Sequence, residues 1–305
     1  MERIPVIIDT DIGSDIDDTW ALAAMLGDDT FDIKLVTTVW EDVQYKCALV
    51  RKLAAAAGKS VAVAAGVGTE IKCSAQAAWL GEPYPSARTD FEDAFYNAAE
   101  GEENITVVAL GPMTNLARIL AKYPALAKKI RIVAMIGAVR KGYINESAPG
   151  AECNVALDPA AFRAVLKSGV EITIAPLDVC RDYVINGAAY RALENSSSPL
   201  ARAVLENYAI WKRDYAGGAL KYPEGSSSIL FDLLPVYYLR FPHFFDCERL
   251  KIDVTDDGKT PESENGFEAG CMLGFRGREM LTEYLVKTLT GGNDGKNASE
   301  KKTHQ

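Results

Sequence analysis

Short apolar runs alternate with helical stretches along the first two thirds of the chain. Pro5 to Asp9 (PVIID) predicts a strand that is apolar on both faces, and Trp20 to Leu26 a buried or amphipathic helix. Ile33 to Val39 (IKLVTTV) predicts a second strand and Val43 to Ala57 a second helix. Val61 to Ala65 predicts a short third strand and Ile105 to Leu110 another, after which GPMTN turns into a helix through Leu120. Ile130 to Ile136 and Ile172 to Ala175 repeat the theme. Strands without polar alternation, separated by helices, are what a mostly parallel sheet covered on both faces requires. The expected class is therefore α/β, a mostly parallel central sheet flanked by helices. Residues 72 to 101 are less regular, carry Trp79, Tyr84 and two prolines, and predict a loop insertion over a site. Ser196 to Leu239 reads as helical, interrupted near Gly217 and Gly225. Leu250 to Val254 and Cys271 to Phe275 predict late strands forming a hairpin at the sheet edge. With no internal repeat and no linker-like stretch, one domain over residues 1–290 is expected, followed by a disordered tail over the polar residues 291–305.

Composition narrows the function. The net charge of the 305 residues is -9, so the chain lacks the positive footprint that nucleic acids and anionic membranes select. Cys47, Cys73, Cys153, Cys180, Cys247 and Cys271 form no C-x-x-C pair and read as reduced thiols. The N-terminal residues enter a strand at once, and no apolar run reaches membrane length, so a cytoplasmic protein is expected. Histidine occurs only at His243 and His304, which leaves a multi-histidine zinc site or a Ser-His-Asp triad little to work with.

The run DTDIGSDIDD places Asp9, Asp11, Asp15, Asp17 and Asp18 at the end of the first predicted strand, with Gly13 free to turn among them. In an open parallel sheet, ligands bind beyond the carboxyl ends of the strands. One or two aspartates here would serve as helix caps. Five exceed what capping can use, and crowded carboxylates repel unless a cation or proton intervenes. All-oxygen ligands suit a hard divalent cation, with Ca²⁺ expected. An EF-hand is excluded, because Trp20 stands where its bidentate glutamate belongs. A phosphatase of the haloacid-dehalogenase type fits Asp9-Thr10-Asp11 only loosely and gives the remaining aspartates no task. Asp232 lies among Ile229, Leu230, Phe231, Leu233 and Leu234, and a lone carboxylate in apolar surroundings needs a partner.

At these residues the sequence resembles the calcium-dependent, inosine-uridine preferring nucleoside hydrolase family, as a divergent member. The family opens on DTDxGxDD, and this chain has two more residues between Gly13 and Asp17-Asp18. LVTTVWED (Leu35 to Asp42), ALGPMTN (Ala109 to Asn115), IVAMIGA from Ile132, AECNVALDP (Ala151 to Pro159) and LFDLLPVYYL (Leu230 to Leu239) resemble later family segments in the same order. The resemblance implies a Rossmann-like core and metal-dependent hydrolysis of a nucleoside or related N-riboside to ribose and free base. It implies Asp11, Asp18, Asp232 and the Thr114 carbonyl as ligands of Ca²⁺, with Asp11 also taking a proton from metal-bound water. It implies Asp17, Glu152 and Asn154 as ribose contacts, Met135 and Asp42 as pocket lining, and a homodimer or homotetramer. Whether Asp15 or Asp17 contacts ribose stays open because of the two added residues. Asp9 is expected to support the turn.

The pattern breaks on the base side. The family's leaving-group histidine falls on Phe231, which has no proton to give, and His243 lies eleven residues beyond Asp232. A family asparagine falls on Glu146, and the family's HGxDGLG segment has no clear counterpart. Phe231 and Trp79 are candidates for facing the base, with Trp40, Tyr84, Tyr208, Tyr215 and Tyr222 as further aromatic options. The alternative to an enzyme is a ribose- or nucleoside-binding protein that kept the metal site and lost turnover.

Overall fold

Val6 and Ile8 point to one side of the first strand and Ile7 to the other, and all three are fully buried. A strand buried on both faces must lie inside a covered sheet, and the computed structural model shows one. It describes residues 3–72, 74–81, 83–214 and 222–292. The strands are β1 (Ile4–Thr10), β2 (Phe31–Thr38), β3 (Val63–Ala65), β4 (Ile105–Ala109), β5 (Ile130–Ala134), β6 (Glu171–Ile174), β7 (Phe245–Ile252) and β8 (Phe267–Phe275). They form one eight-stranded sheet in the order β3-β2-β1-β4-β5-β6-β8-β7. Every pairing is parallel except β7 with β8, an antiparallel pair that places β7 at the edge.

The helices are α1 (Asp17–Gly27), α2 (Val43–Ala56), α3 (Ala77–Leu80), α4 (Phe91–Glu100), α5 (Thr114–Lys122), α6 (Cys153–Leu157), α7 (Pro159–Lys167), α8 (Leu177–Cys180), α9 (Gly187–Glu194), α10 (Pro199–Asp214), α11 (Leu233–Arg240) and α12 (Arg278–Thr290). Helices α1, α2, α10, α11 and α12 pack on the face that presents Val6, Ile8, Val36, Val108 and Val133. Helices α4, α5 and α7 pack on the face that presents Ile7, Leu35, Val107, Ile132 and Ile172. This is the expected α/β architecture of a mostly parallel sheet flanked by helices.

Successive crossovers run outward from β1 to β2 and β3, then return to build β4, β5 and β6 on the other side. The direction of winding therefore reverses between β1 and β4, where the ends of neighbouring loops part and leave a crevice. The acidic turn follows β1, at that reversal.

Two sequence expectations change. Residues 72–101 contain α3 and α4 rather than only irregular loop. Phe91, Ala94, Phe95 and Ala99 recur at helical spacing and are buried, a signal masked by the prolines just upstream. The late hairpin is longer than its apolar residues suggested, because β7 starts at Phe245 and exposes Asp246, Cys247, Glu248 and Arg249. Cys73, Tyr215, the break near Gly217, His304 and the tail from residue 293 lie outside the described residues. Among the described residues, no helix is long and apolar enough to cross a membrane.

Candidate active site

Strand β1 ends at Thr10, and the chain turns through residues 11–16 before α1 begins at Asp17. The two added residues thus extend the turn and leave the helix start intact. Gly13 makes the turn possible in two ways. Its φ is +98°, and a Cβ there would lie 2.7 Å from Leu49 Cδ1 and 2.8 Å from Tyr45 Cε1 on α2. Asp15 sits exposed on the turn, where its carboxylate accepts the Ile16 amide at 2.7 Å.

Asp17 and Asp18 occupy the first turn of α1, and Asp232 immediately precedes α11 without capping it. Carboxylates are favoured at helix N-termini, which accounts for their residue type but not for their convergence. One oxygen from each of Asp17, Asp18 and Asp232 lies within 4.8 Å of the others, and all three residues are buried. Thr10 Oγ1 donates to Asp18 Oδ1. Burial pushes all three carboxyls well above the ordinary range, and their mutual repulsion adds to it. Three hard oxygen donors with no softer atom among them could hold a hard cation.

Asp11 lies beside this group. Burial raises its carboxyl to about 6, against the opposing pull of the Lys46 ammonium. Its negative charge in turn raises Asp17, Asp18 and Asp232. Gly111, just past β4, leaves room for it: a Cβ there would stand 3.0 Å from Asp11 Oδ1 and 2.9 Å from Val39 Cγ1. Asp9 is fully buried beneath the turn. Its Oδ1 accepts from Thr37 Oγ1 at 2.5 Å and Asn115 Nδ2 at 2.7 Å. Asn115 also bonds the Thr38 carbonyl and the Val67 amide, so Asp9 ties the ends of β1 and β2 to the start of α5.

The other wall comes from the segment after β5. Glu152 caps α6 and is almost fully buried. Its Oε1 accepts the Asn154 amide at 2.8 Å, while Oε2 accepts the amides of Gly137 at 2.9 Å and Val155 at 3.2 Å. Burial nonetheless lifts it to about 7, the three amides opposing. Asn154 Nδ2 donates to the carbonyls of Leu110 at 2.9 Å and Met135 at 3.0 Å, joining the ends of β4 and β5. Glu146 folds back on its own loop, accepting the Tyr143 amide at 3.0 Å.

The Thr114 carbonyl, expected to be unpaired, belongs to the first residue of α5, where helix geometry directs it to the amide four residues on. The Thr114 hydroxyl donates to Asp158 at 2.7 Å. Just past β4, the Leu110 carbonyl accepts from Asn154 Nδ2. Asp42 caps α2 by accepting the Tyr45 amide at 3.1 Å and meets Lys72 at 3.3 Å.

On the base side, Phe231 adjoins Asp232 and meets Tyr143 edge to face, ring centres 6.2 Å apart. The Tyr143 hydroxyl accepts the amide of Cys153, between Glu152 and Asn154, at 3.2 Å. The Trp79 indole N–H donates to Glu206 at 3.2 Å, and Lys52 lies over its ring. Tyr208 is core, packed against Trp20 and Trp211. Tyr222 is pushed up to about 12 by burial and by the charges of Asp15 and Asp17, which sets it near the turn. His243 is exposed beyond the far end of α11, an eight-residue helix about 12 Å long.

Comparison with known proteins follows the same residues. Residues 6–292 match the family model described as inosine-uridine preferring nucleoside hydrolase. The chain is 29% identical over 278 residues to the non-specific ribonucleoside hydrolase RihC of Klebsiella pneumoniae subsp. pneumoniae, a match covering 84% of this chain and 85% of that protein. It is 32% identical over 164 residues to the pyrimidine-specific ribonucleoside hydrolase RihA of Escherichia coli O1:K1, covering 52% and 50%. Among solved structures, the inosine-uridine preferring nucleoside hydrolase of Bacillus anthracis superposes with a TM-score of 0.75 at 18% identity, covering 95% of this chain and all 100% of that one. A plant nucleoside hydrolase superposes with a TM-score of 0.74 at 22% identity, covering 94% and 99%. At those identities the two structures establish the fold, and the family match over nearly the whole chain establishes the rest: the chain belongs to the inosine-uridine preferring nucleoside hydrolase family.

Proposed function

We propose that the protein hydrolyses the N-glycosidic bond of a ribonucleoside or related N-riboside, giving ribose and free base, with Ca²⁺ at the acidic group. The observation that carries this reading is the meeting of Asp17, Asp18 and Asp232, buried and mutually repelling, at the crevice between β1 and β4. Asp18, Asp232 and Asp11 would hold the cation, with the Leu110 carbonyl as backbone ligand in place of Thr114. When bound, the cation supplies Lewis acidity that lowers the pKa of water and orients it.

The chain's own residues do the rest. Asp11 receives the proton of the attacking water. Asp17, Glu152 and Asn154 hold the ribose hydroxyls, and Glu152 Oε1 carries one amide, which leaves it capacity to accept a hydroxyl. Met135 and Asp42 line the pocket. As the bond to the base stretches, positive charge grows on the sugar, and the surrounding carboxylates stabilise it. The relatives' names differ in base preference, from non-specific to pyrimidine-specific, so the ribonucleoside class is inferred and no single base.

Gly111→Ala tests the placement of Asp11. The added methyl would push Asp11 or Val39 aside, and a displacement near 1 Å costs on the order of 100-fold in rate. The variant should unfold thermally near wild type yet release base about 100-fold more slowly. Wild-type turnover in a variant whose crystal structure shows Asp11 displaced would mean that Asp11 does not act from this position.

Phe231 favours a second reading, a binding protein that kept the metal and lost turnover. A series of N- and O-ribosides of graded leaving-group basicity separates the two. With no acid at Phe231, ribosides such as 4-nitrophenyl riboside, whose leaving group needs no proton, should outpace inosine and uridine by about 10²–10⁴-fold. A flat series would place a proton donor at the base. Tight ribose binding with no turnover anywhere in the series would select the binding protein.

A further inference from the structure

Among the described residues, Lys46 is the one lysine in the set of largest fully buried side chains, and its ammonium meets the acidic turn. Its Nζ donates to the Asp11 carbonyl at 2.6 Å and to Ser14 Oγ at 2.5 Å, and pairs with Glu41 Oε2 at 3.1 Å. Ser14 Oγ in turn donates to Glu41 Oε2 at 2.5 Å. Three N–H donors thus meet three oxygens, a complete set for an ammonium. A lysine buried without such partners would be strongly unfavourable, so the arrangement is specified rather than incidental.

Glu41 reaches this position at a conformational cost. Trp40 and Glu41 have φ of 66° and 50°, the only positive values outside glycine among the described residues. A side-chain-bearing residue is disfavoured in that conformation and persists there only where the surroundings hold it. Here the Trp40 amide bonds the Val67 carbonyl at 2.8 Å and the Glu41 carbonyl accepts the Thr69 amide at 3.0 Å. The loop after β2 is therefore fixed in a strained form that delivers a carboxylate to Lys46.

The ammonium grips the backbone of Asp11 and leaves its carboxylate to face Gly111 and the Asp17-Asp18-Asp232 group. We propose that Lys46, with Glu41 and Ser14, is a positioning clamp that sets Asp11 and the lengthened turn in place for cation binding and water activation. The inference rests on the reading of Asp11 proposed above, but its test reads cation affinity independently of turnover.

Ca²⁺ titration of the full chain by calorimetry decides it. Removing a positive charge near a cation site strengthens cation binding if the lysine acts only through its field. A clamp predicts the reverse: Lys46→Met should weaken Ca²⁺ binding by about tenfold or more, the scale on which supporting residues of metal sites act. On a cleaved riboside, kcat should fall while KM moves less than about threefold, because only the reacting geometry is lost. Adding Glu41→Gln to Lys46→Met removes the stranded carboxylate, and the affinity should stay low. Wild-type or tighter Ca²⁺ binding in either variant would overturn the clamp. If Lys46→Met does not fold, Ser14→Ala/Glu41→Gln removes one acceptor and the charge of a second and must weaken Ca²⁺ binding for the proposal to stand. A wild-type chain that binds Ca²⁺ and cleaves nothing would sink the hydrolase reading and leave this titration valid.

Discussion

Asp11→Asn should weaken Ca²⁺ binding, and with Ca²⁺ raised until the site is refilled, base release should still fall by about 10²–10⁴-fold, the usual contribution of a positioned general base. The amide keeps an oxygen for the cation and loses the ability to take a proton. The variant is also isosteric in a tight place, against Gly111 on one side and Val39 behind it. The wild-type pH profile gives an independent check. Burial holds the Asp11 carboxyl at about 6 before any cation binds, and a nearby cation favours the ionised form. The rate should therefore rise with pH through an acid limb at or below about 6, and that limb should vanish in Asp11→Asn. Unchanged turnover in the variant would remove Asp11 from the chemistry.

Stripping the cation should make the protein less stable, and more so at higher pH. The sign follows from the direction of the shifts. Asp17, Asp18 and Asp232 are raised in the folded chain, so between their unfolded and folded values the folded state binds more protons. Stability then falls as pH rises through that window, because protons held only by the folded state are lost. Chelator-treated protein should melt higher near pH 5 than near pH 8. Added Ca²⁺ should reverse the loss at pH 8, by about 2.7 kcal/mol at a hundredfold excess over its dissociation constant. For a chain of this length that is about 4 °C in Tm. Asp232→Asn should abolish most of this Ca²⁺-dependent rise, since losing a direct ligand costs more than the roughly 10–100-fold typical of supporting residues. A Tm insensitive to Ca²⁺ at pH 8 would deny the acidic group its cation.

Much of this was legible in the sequence because it depends on local pattern. Doubly apolar strands such as PVIID could only be interior to a covered sheet, and the excess of aspartates after β1 pointed to the crevice. Asp232 stood out as one charge in an apolar run, and it does join Asp17 and Asp18. What escaped the sequence depends on contacts between distant segments. Lys46 looked like an ordinary helix residue, since nothing local reveals that Asp11, Ser14 and Glu41 enclose its ammonium. The Leu110 carbonyl is a backbone group, invisible to residue type, and its bond to Asn154 emerges only in the fold. Trp79 has the chemistry of a base-stacking residue, but Glu206 and Lys52 occupy it, and both are far from it in sequence. Tyr143 carried no signal until its ring met Phe231 and its hydroxyl met Cys153.

The central claim is metal-dependent cleavage of an N-ribosidic bond by the residues around Asp11. Release of free base from inosine and uridine, and of 4-nitrophenolate from 4-nitrophenyl riboside, measured on one preparation with Ca²⁺ and again after chelation, tests it most directly. The account predicts turnover with Ca²⁺, loss to background without it, recovery on re-addition, and none of these in Asp11→Asn. Turnover that survives chelation, or no turnover on any of the three with Ca²⁺ bound, would contradict it.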